Sequence, residues 1–496
     1  MQSQPSKSSS PTHVRIIQAL VAHSLGVAIS LLARVVYPPL FLHAWGVEIY
    51  GEWLLLSSAV LYLLLADFGG QLYIGNRMAV AFAKGDQEVF QRLLHTGMAM
   101  FLLLSLAVFA LFIVGAALVT NWSAISIVHT SPRVVIAVLT LLALQVCVSL
   151  PLGILMGVYR AVGMLPRSAM LNNLSQLLQL LLVAIGLWFG LGIVGIALMH
   201  VIPVVAVTGI ALRELHALHP EFHILSLRSA DRRMALEFLK PSSYFFSIQL
   251  SNALTFQSVL LIVGAILGAA QVVLFSALRT IANSIRQLLA ISMNSVWPDL
   301  TRFHAKGEEE KLTLLFHVAL RATLVVGALF VGIFHYFGEW IFHLWLGGKV
   351  EYRQILMDLF LLYILQFVFW TSCSNLLMSI NRHHEISILL IVSGVATTVA
   401  VFFGGQQWGL DGVVVGLIAV DLALPFWAVP MLLHKYLPSF SLRFFLNELV
   451  PVLIAIGLMV WAPWAALLAA VVLPFWLVQV LPRDVALGRL RFFRRR

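Results

Sequence analysis

The stretch Ala83-Lys84-Gly85-Asp86-Gln87-Glu88, followed by Leu93 and His95, returns 222 residues later as Ala305-Lys306-Gly307-Glu308-Glu309-Glu310, followed by Leu315 and His317. Six of the thirteen aligned positions are identical. At the same offset Gly46, which follows the first apolar segment, falls on Gly268, which follows the seventh. A chain that repeats itself at one fixed spacing reads as two similar halves, and in a membrane protein such halves clasp a cargo between them.

Composition places the chain in a bilayer. Hydrophobic residues make up 61% of it and charged residues 10%, against an apolar share of about 45–50% in soluble domains. The formal net charge is +10, but the basic residues are scattered between apolar segments, so they read as topology signals and not as a nucleic-acid surface. Cys147 and Cys373 both lie inside apolar segments, so neither a disulfide framework nor a cysteine zinc site is implied. The first thirteen residues are polar, and the apolar stretch after them is too long for a removable signal, so the first span is expected to stay in the chain.

Fourteen apolar stretches approach the roughly 20 residues needed to cross a bilayer. They run from Ile16–Leu42 and Ile49–Ala81 to Leu449–Ala462 and Ala465–Leu481, the last pair parted by Pro463 and readable either as two spans or as one kinked hairpin. With the N-terminus inside, 24 Lys and Arg fall on the cytoplasmic side, 3 outside and 4 within spans, the asymmetry that inserted proteins show. The expected organisation is an all-α polytopic protein with about fourteen transmembrane helices and cytoplasmic termini. A tail at 1–13 leads into a six-span N-lobe at 14–213. A linker at 214–240 follows, with a short amphipathic helix around Leu225-Ser226-Leu227. A parallel six-span C-lobe at 241–434, two extra helices at 435–482 and a basic tail at 483–496 complete it.

A charged side chain near the bilayer centre costs about 2.5–3.5 kcal/mol on insertion scales, so each one that persists should face protein, water or ligand. Four arginines lie within spans. Arg321 follows His317 by one helical turn near the end of its span and is expected to snorkel. Arg279, Asn283 and Arg286 are spaced i, i+4, i+7 and share one face of span 8. His23, Ser30 and Arg34 share a face of span 1, and span 7 adds Gln249, Asn252 and Gln257. Arg34 and Arg279 are expected at similar depth, one from each half. Either these groups line a polar cavity whose field favours an anion, or each arginine pairs with an intramembrane acid among Asp67, Asp358 and Asp421, with Asp67–Arg286 as the specific candidate. Asp67 precedes Gly69 and Gly70, which reads either as a hinge with a charge pair or as a packed glycine pair beside an acid held by Ser or Thr. Tyr363, Gln366 and Trp370 share a face of span 10, suited to sugar stacking or to helix packing. The amides that open span 5, Asn172, Asn173, Gln176 and Gln179, have the same two readings. Walker, zinc-ligand and nucleophile-elbow patterns are absent from the sequence, and the first outer loop offers only Glu48 and Glu52, so the chain reads as a carrier with no catalytic site, metal or cofactor.

Gly46-Val47-Glu48-Ile49-Tyr50-Gly51-Glu52-Trp53, then Asp67-Phe68-Gly69 and Asn76-Arg77, resembles the start of bacterial polysaccharide flippases, the Wzx-like O-antigen and exopolysaccharide transporters of the multidrug/oligosaccharidyl-lipid/polysaccharide exporter superfamily. Leu267-Gly268, Ala277-Leu278-Arg279 and Pro298-Asp299-Leu300 resemble the second-half signature. The resemblance implies a fold like that of multidrug and toxin extruders, two six-helix lobes in a V with two extra C-terminal helices. It implies an undecaprenyl-pyrophosphate-linked oligosaccharide moved from the cytoplasmic to the periplasmic leaflet of the bacterial inner membrane, for lipopolysaccharide or exopolysaccharide synthesis. Membrane lipids, a polysaccharide polymerase and glycosyltransferases are the implied partners. Alternating access around a cationic cavity between the lobes is the expected mechanism, with Arg34, Arg279 and Arg286 on the anionic head group and Asn252, Gln257, Asn283, Tyr363 and Trp370 around it. Many relatives carry an acid where this chain has Gln257, which leaves a cation-coupling site there open. Two alternatives stand beside this reading. A multidrug exporter of the same fold should carry more acids than bases in its cavity, and a membrane polymerase or ligase should carry a large outer domain.

Overall fold

The computed structural model describes residues 12–462 apart from 120, 225 and 381, and beyond them only 472, 473, 476, 477 and 479. Among these residues the regular elements are thirteen α-helices and three short 3-10 turns. The helices are α1 (Thr12–Leu61), α2 (Gly70–Ala83), α3 (Gln87–Leu118), α4 (Pro132–Ala161), α5 (Leu165–Trp188), α6 (Ile193–Leu218) and α7 (Arg232–Leu267). After them come α8 (Ala269–Ala305), α9 (Glu309–Leu346), α10 (Gln354–Ser379), α11 (His383–Ala423), α12 (Pro425–Tyr436) and α13 (Leu442–Trp461).

Ten segments among the described residues are long and apolar enough to cross a membrane. Two of them, Val21–Ala83 and Glu385–Tyr436, are 63 and 52 residues long, enough for two crossings each. The backbone breaks inside both, at Gly46 (φ 74°, ψ −175°) and at Gly409 (φ 63°, ψ −142°). The 37-residue α8 has the length to cross but is too polar to count among the apolar segments. Six crossings therefore precede the 219–231 connection, six follow it, and α13 is the thirteenth. The tails at 1–11 and 483–496 lie outside the described residues, as does the expected fourteenth, Ala465–Leu481, except for 472, 473, 476, 477 and 479.

The chain divides into two compact units, Met1–Ala253 and Leu254–Arg496, and the division falls inside α7. Each unit has its own core, built on Ile74, Leu93, Val158 and Val207 in the first and on Leu312, Phe316, Cys373 and Val452 in the second.

The sequence repeat is realised atom by atom. α2 ends at Ala83 and α3 begins at Gln87; α8 ends at Ala305 and α9 begins at Glu309. In the first turn the Gly85 and Asp86 N–H groups donate to Phe82 O and Ala81 O, both at 3.0 Å; in the second Gly307 and Glu308 donate to His304 O and Phe303 O at 3.0 and 2.9 Å. Gly85 (φ 73°) and Gly307 (φ 68°) both occupy the left-handed region that closes such helix ends. Gly46 and Gly268 (φ 91°, ψ 166°) share a conformation that is essentially restricted to glycine, and each turns its lobe's first helix into the second. His95 and His317, also one repeat apart, each hold the segment that leaves the sixth crossing. His95 Nε2 lies 3.2 and 3.1 Å from the carbonyl oxygens of Phe222 and His223, and His317 Nε2 lies 2.6 Å from Glu448 on α13.

The 219–231 connection corrects the expected amphipathic helix. A 3-10 turn at Pro220–Phe222 ends on His223 in the left-handed region, and residues 226–230 take turn or irregular backbone. Phe222 is buried against Phe90, and the Asp231 N–H donates to Thr96 Oγ1 at 2.9 Å, so this segment is tied down by α3. Trp188, Trp340, Trp408 and Trp461 are each 65% or more exposed. Following the chain back and forth, all four fall at the end of their lobe opposite the Lys-Gly turn, where an aromatic belt meets the membrane interface.

Candidate functional site

The polar face of α8 forms as its spacing requires. The Gly268 turn sets α8 against α7, and Arg279 Nη1 donates to Phe256 O of α7 at 2.6 Å. Two turns on, Arg286 Nε donates to Asn283 Oδ1 at 3.2 Å, and its guanidinium sits over the rings of Phe256 and Phe367, 5.4 and 5.3 Å from their centroids. Arg279 also lies over Phe275 at 5.6 Å. A cleft among α7, α8 and α10 is lined by Arg279, Asn283, Phe256 and Tyr363. Gln257 is half-buried beside Phe256, and the side chain of Asn252 lies outside the described residues.

The face read as a sugar platform on span 10 is mostly turned inward. Trp370 is 5% exposed, and its Nε1 donates to Asp421 Oδ1 of α11 at 2.8 Å. Gln366 Nε2 donates to Asp421 Oδ2 at 3.1 Å and to Ile418 O at 3.0 Å. Tyr363 is equally buried but borders the cleft. Neutral donors thus satisfy one of the three intramembrane acids. Asp358, near the start of α10, lies 3.1 Å from His335 Nδ1 and accepts from Gln354 at 3.0 Å.

Asp67, the third acid, ends a 3-10 turn over Tyr62–Asp67; Phe68 (φ 49°) and Gly69 (φ 72°) follow in the left-handed region before α2 begins. The second crossing is therefore broken where the glycines fall. The carboxylate accepts the Gln71 N–H at 3.2 Å in the first turn of α2, so among the described residues the acid is held by backbone and not by Ser or Thr. Gly70 is buried against the ring of Phe101. Arg34 is half-buried on α1, one turn before Pro38. By the repeat it aligns with Phe256, and Ser57 aligns with Arg279. Along the chain Arg34 lies twelve residues before Gly46 and Arg279 eleven residues after Gly268, so the arginine sits on the first helix in one lobe and on the second helix in the other.

Arg321 corrects the expectation of snorkelling. It is 8% exposed and gives Glu448 of α13 two hydrogen bonds, Nε to Oε2 at 2.8 Å and Nη2 to Oε1 at 2.5 Å. Its Nη1 donates to Trp476 O at 3.0 Å, and the guanidinium lies 4.0 Å from the Trp476 ring centroid. The partner is not legible in the sequence reading because the thirteenth apolar stretch starts at Leu449, one residue past the acid.

In the Gly46–Trp53 motif, Gly46, Tyr50, Glu52 and Trp53 serve the fold. Tyr50 stacks on Phe41 at 5.2 Å, and Trp53 packs on Phe41 and His200 at 5.8 and 5.3 Å. Glu52 is fully buried, and its Oε1 accepts the Val128 and His129 N–H groups, both at 2.6 Å. Asn173, from the amide-rich start of span 5, donates to Ala22 O of α1 at 2.7 Å and packs against Gly26.

No family model matches the chain. A protein of Salmonella typhimurium strain LT2 named "Putative O-antigen transporter" is 24% identical over 199 residues, 39% of this chain. The chain spans about 45% of that relative's length in the match. Among solved structures, the inward closed lipid II flippase MurJ superposes with a TM-score of 0.70 at 12% identity, covering 96% of this chain and all of the other. An inward-facing multidrug resistance MATE transporter of the MOP superfamily gives 0.69 at 15% identity, covering 85% and 99%. A MOP transporter from Pyrococcus furiosus, whose binding pocket is described as reversed in polarity, gives 0.53 at 15% identity over 86% and 96%. The chain therefore shares its fold with these solved transporters and is all-α and multi-pass.

Proposed function

We propose that this chain, with the fold of MOP-superfamily transporters, is a flippase that moves an undecaprenyl-pyrophosphate-linked oligosaccharide from the cytoplasmic to the periplasmic leaflet of the bacterial inner membrane. The observation that carries the reading is the face of α8 on which Arg279, Asn283 and Arg286 gather, with both guanidinium groups held in place by α7 and α10. A pyrophosphate head needs cationic partners away from bulk water, and arginine's planar fork meets phosphate oxygens two at a time. The isoprenoid tail stays in lipid while the head group crosses. Arg34 supplies the corresponding charge of the first lobe. Alternating access carries the head group, and both termini face the cytoplasm, as the distribution of Lys and Arg requires. Glycosyltransferases on the inner face and a polymerase on the outer face are its functional neighbours.

The likeness to MATE transporters favours drug export as the second reading. A cationic drug would be repelled by a basic stripe of this kind. Cells lacking the protein should accumulate complete lipid-linked repeat units on the cytoplasmic leaflet. Arg34→Ala, Arg279→Ala and Arg286→Ala variants of normal abundance should fail to restore surface glycan. Repeat units trapped on the periplasmic leaflet, or full export by all three variants, would overturn the assignment.

A further inference from the structure

Phe256 serves both deep arginines of the second lobe. Its carbonyl oxygen accepts Arg279 at 2.6 Å, and its ring lies under Arg286 at 5.4 Å. Phe367 lies under the same guanidinium from α10 at 5.3 Å. The two rings meet edge to face, 6.1 Å apart at 66°, and so form two walls of a wedge. The outer wall is itself braced: Phe367 packs edge-on against Trp370 at 4.9 Å, and Trp370 is anchored on Asp421. Asn283 holds Arg286 Nε at the foot of the wedge.

A guanidinium donates only within its own plane, and its faces are the parts that stack on aromatic rings. Contact with two fixed rings, together with the Nε hydrogen bond to Asn283, therefore limits the rotamers of Arg286, which sets the direction in which its N–H groups point and removes freedom that binding would otherwise have to freeze. We propose that Phe256 and Phe367 are the positioning residues of the anion site, turning Arg286 so that it selects paired oxygen atoms of a phosphoryl group over a spherical anion. This inference rests on the anion-site reading above, which makes Arg286 a ligand contact; the aromatic wedge adds what the arginine discriminates.

The test is calorimetric titration of the purified full-length protein in nanodiscs with inorganic pyrophosphate and, as competitor, chloride. Phe256→Leu and Phe367→Leu should each weaken pyrophosphate binding about tenfold, the size of a partly desolvated cation–π contact, while leaving chloride competition unchanged. Phe256→Tyr and Phe367→Tyr keep a ring and should stay within about twofold of the parent. Arg286→Lys keeps the charge without the planar fork and should lose the preference for pyrophosphate over chloride. Leucine variants that bind like the parent would overturn the wedge and leave the anion site standing. Where a leucine variant does not fold, tyrosine variants as weak as Arg286→Ala, or an Arg286→Lys variant with the parent's preference, would overturn it instead. A parent protein that does not bind pyrophosphate at all would remove the anion site, and this inference with it.

Discussion

Replacing Glu448 with Gln should destabilise the second lobe more than any other single isosteric change in it. The carboxylate is 1% exposed and receives two hydrogen bonds from Arg321, while His317 Nε2 lies 2.6 Å from it. Glutamine fills the same space, so the loss is electrostatic: Arg321 stays buried and, among the described residues, keeps only the Trp476 carbonyl and ring as partners beyond α9. Removing one member of a buried pair costs about 3–5 kcal/mol, because the survivor is an uncompensated charge. For a lobe of this size that is about 6–10 °C in thermal midpoint, at roughly 2 °C per kcal/mol. Removing both charges is a different perturbation. Arg321→Leu with Glu448→Leu leaves no unpaired buried charge and should lie within about 1–2 kcal/mol of the parent, the loss of the contacts to His317 and Trp476 included. The assay is the unfolding midpoint of purified protein by intrinsic fluorescence for the parent, each single variant and the double. A Glu448→Gln midpoint within about 1 °C of the parent, or a double variant as unstable as the single, would refute the argument that a buried ion pair docks α13.

Gly46→Ala and Gly268→Ala should each cost about 1–3 kcal/mol and lower membrane abundance alike, because both turns use a backbone region essentially closed to other residues; immunoblotting of membranes would show it. Glu52→Gln should free the 119–131 loop, with a loss of about 1.5–3 kcal/mol for hydrogen bonds to a buried charge, read as faster proteolytic cutting in that loop. A Cβ at position 26 would come within 2.5 Å of Asn173 Oδ1. Gly26→Ala should therefore lower the thermal midpoint, and adding Asn173→Ala should recover part of the loss; a strictly additive double variant would contradict that contact.

Features carried by spacing were legible in the sequence. The Lys-Gly turns, the paired Gly46 and Gly268 and the stripe of α8 follow from offsets and helical periodicity, and the structure places them where those numbers put them. Partners far apart along the chain were not legible. Asp421 lies more than fifty residues from Gln366 and Trp370, and an acid in an apolar run gives no sign of whether an arginine or a neutral donor will meet it. Arg321 was misread for the same reason, since the choice between water and Glu448 depends on the docking of α13. The linker failed on local grounds. Leu225 and Leu227 between charges imitate an amphipathic helix, while Pro220 and the left-handed His223 turn the chain and send Phe222 into the core.

Arg34 stands where the second half has Phe256, and Ser57 where it has Arg279. Two repeats of a helical frame are free to drift wherever their corners are not concerned, and here the corners have stayed alike while these helix positions have parted. The halves are consequently not interchangeable modules. One half can change its helix faces while its twin preserves the insertion topology, so divergence among descendants should concentrate on helix faces and spare the glycine turns.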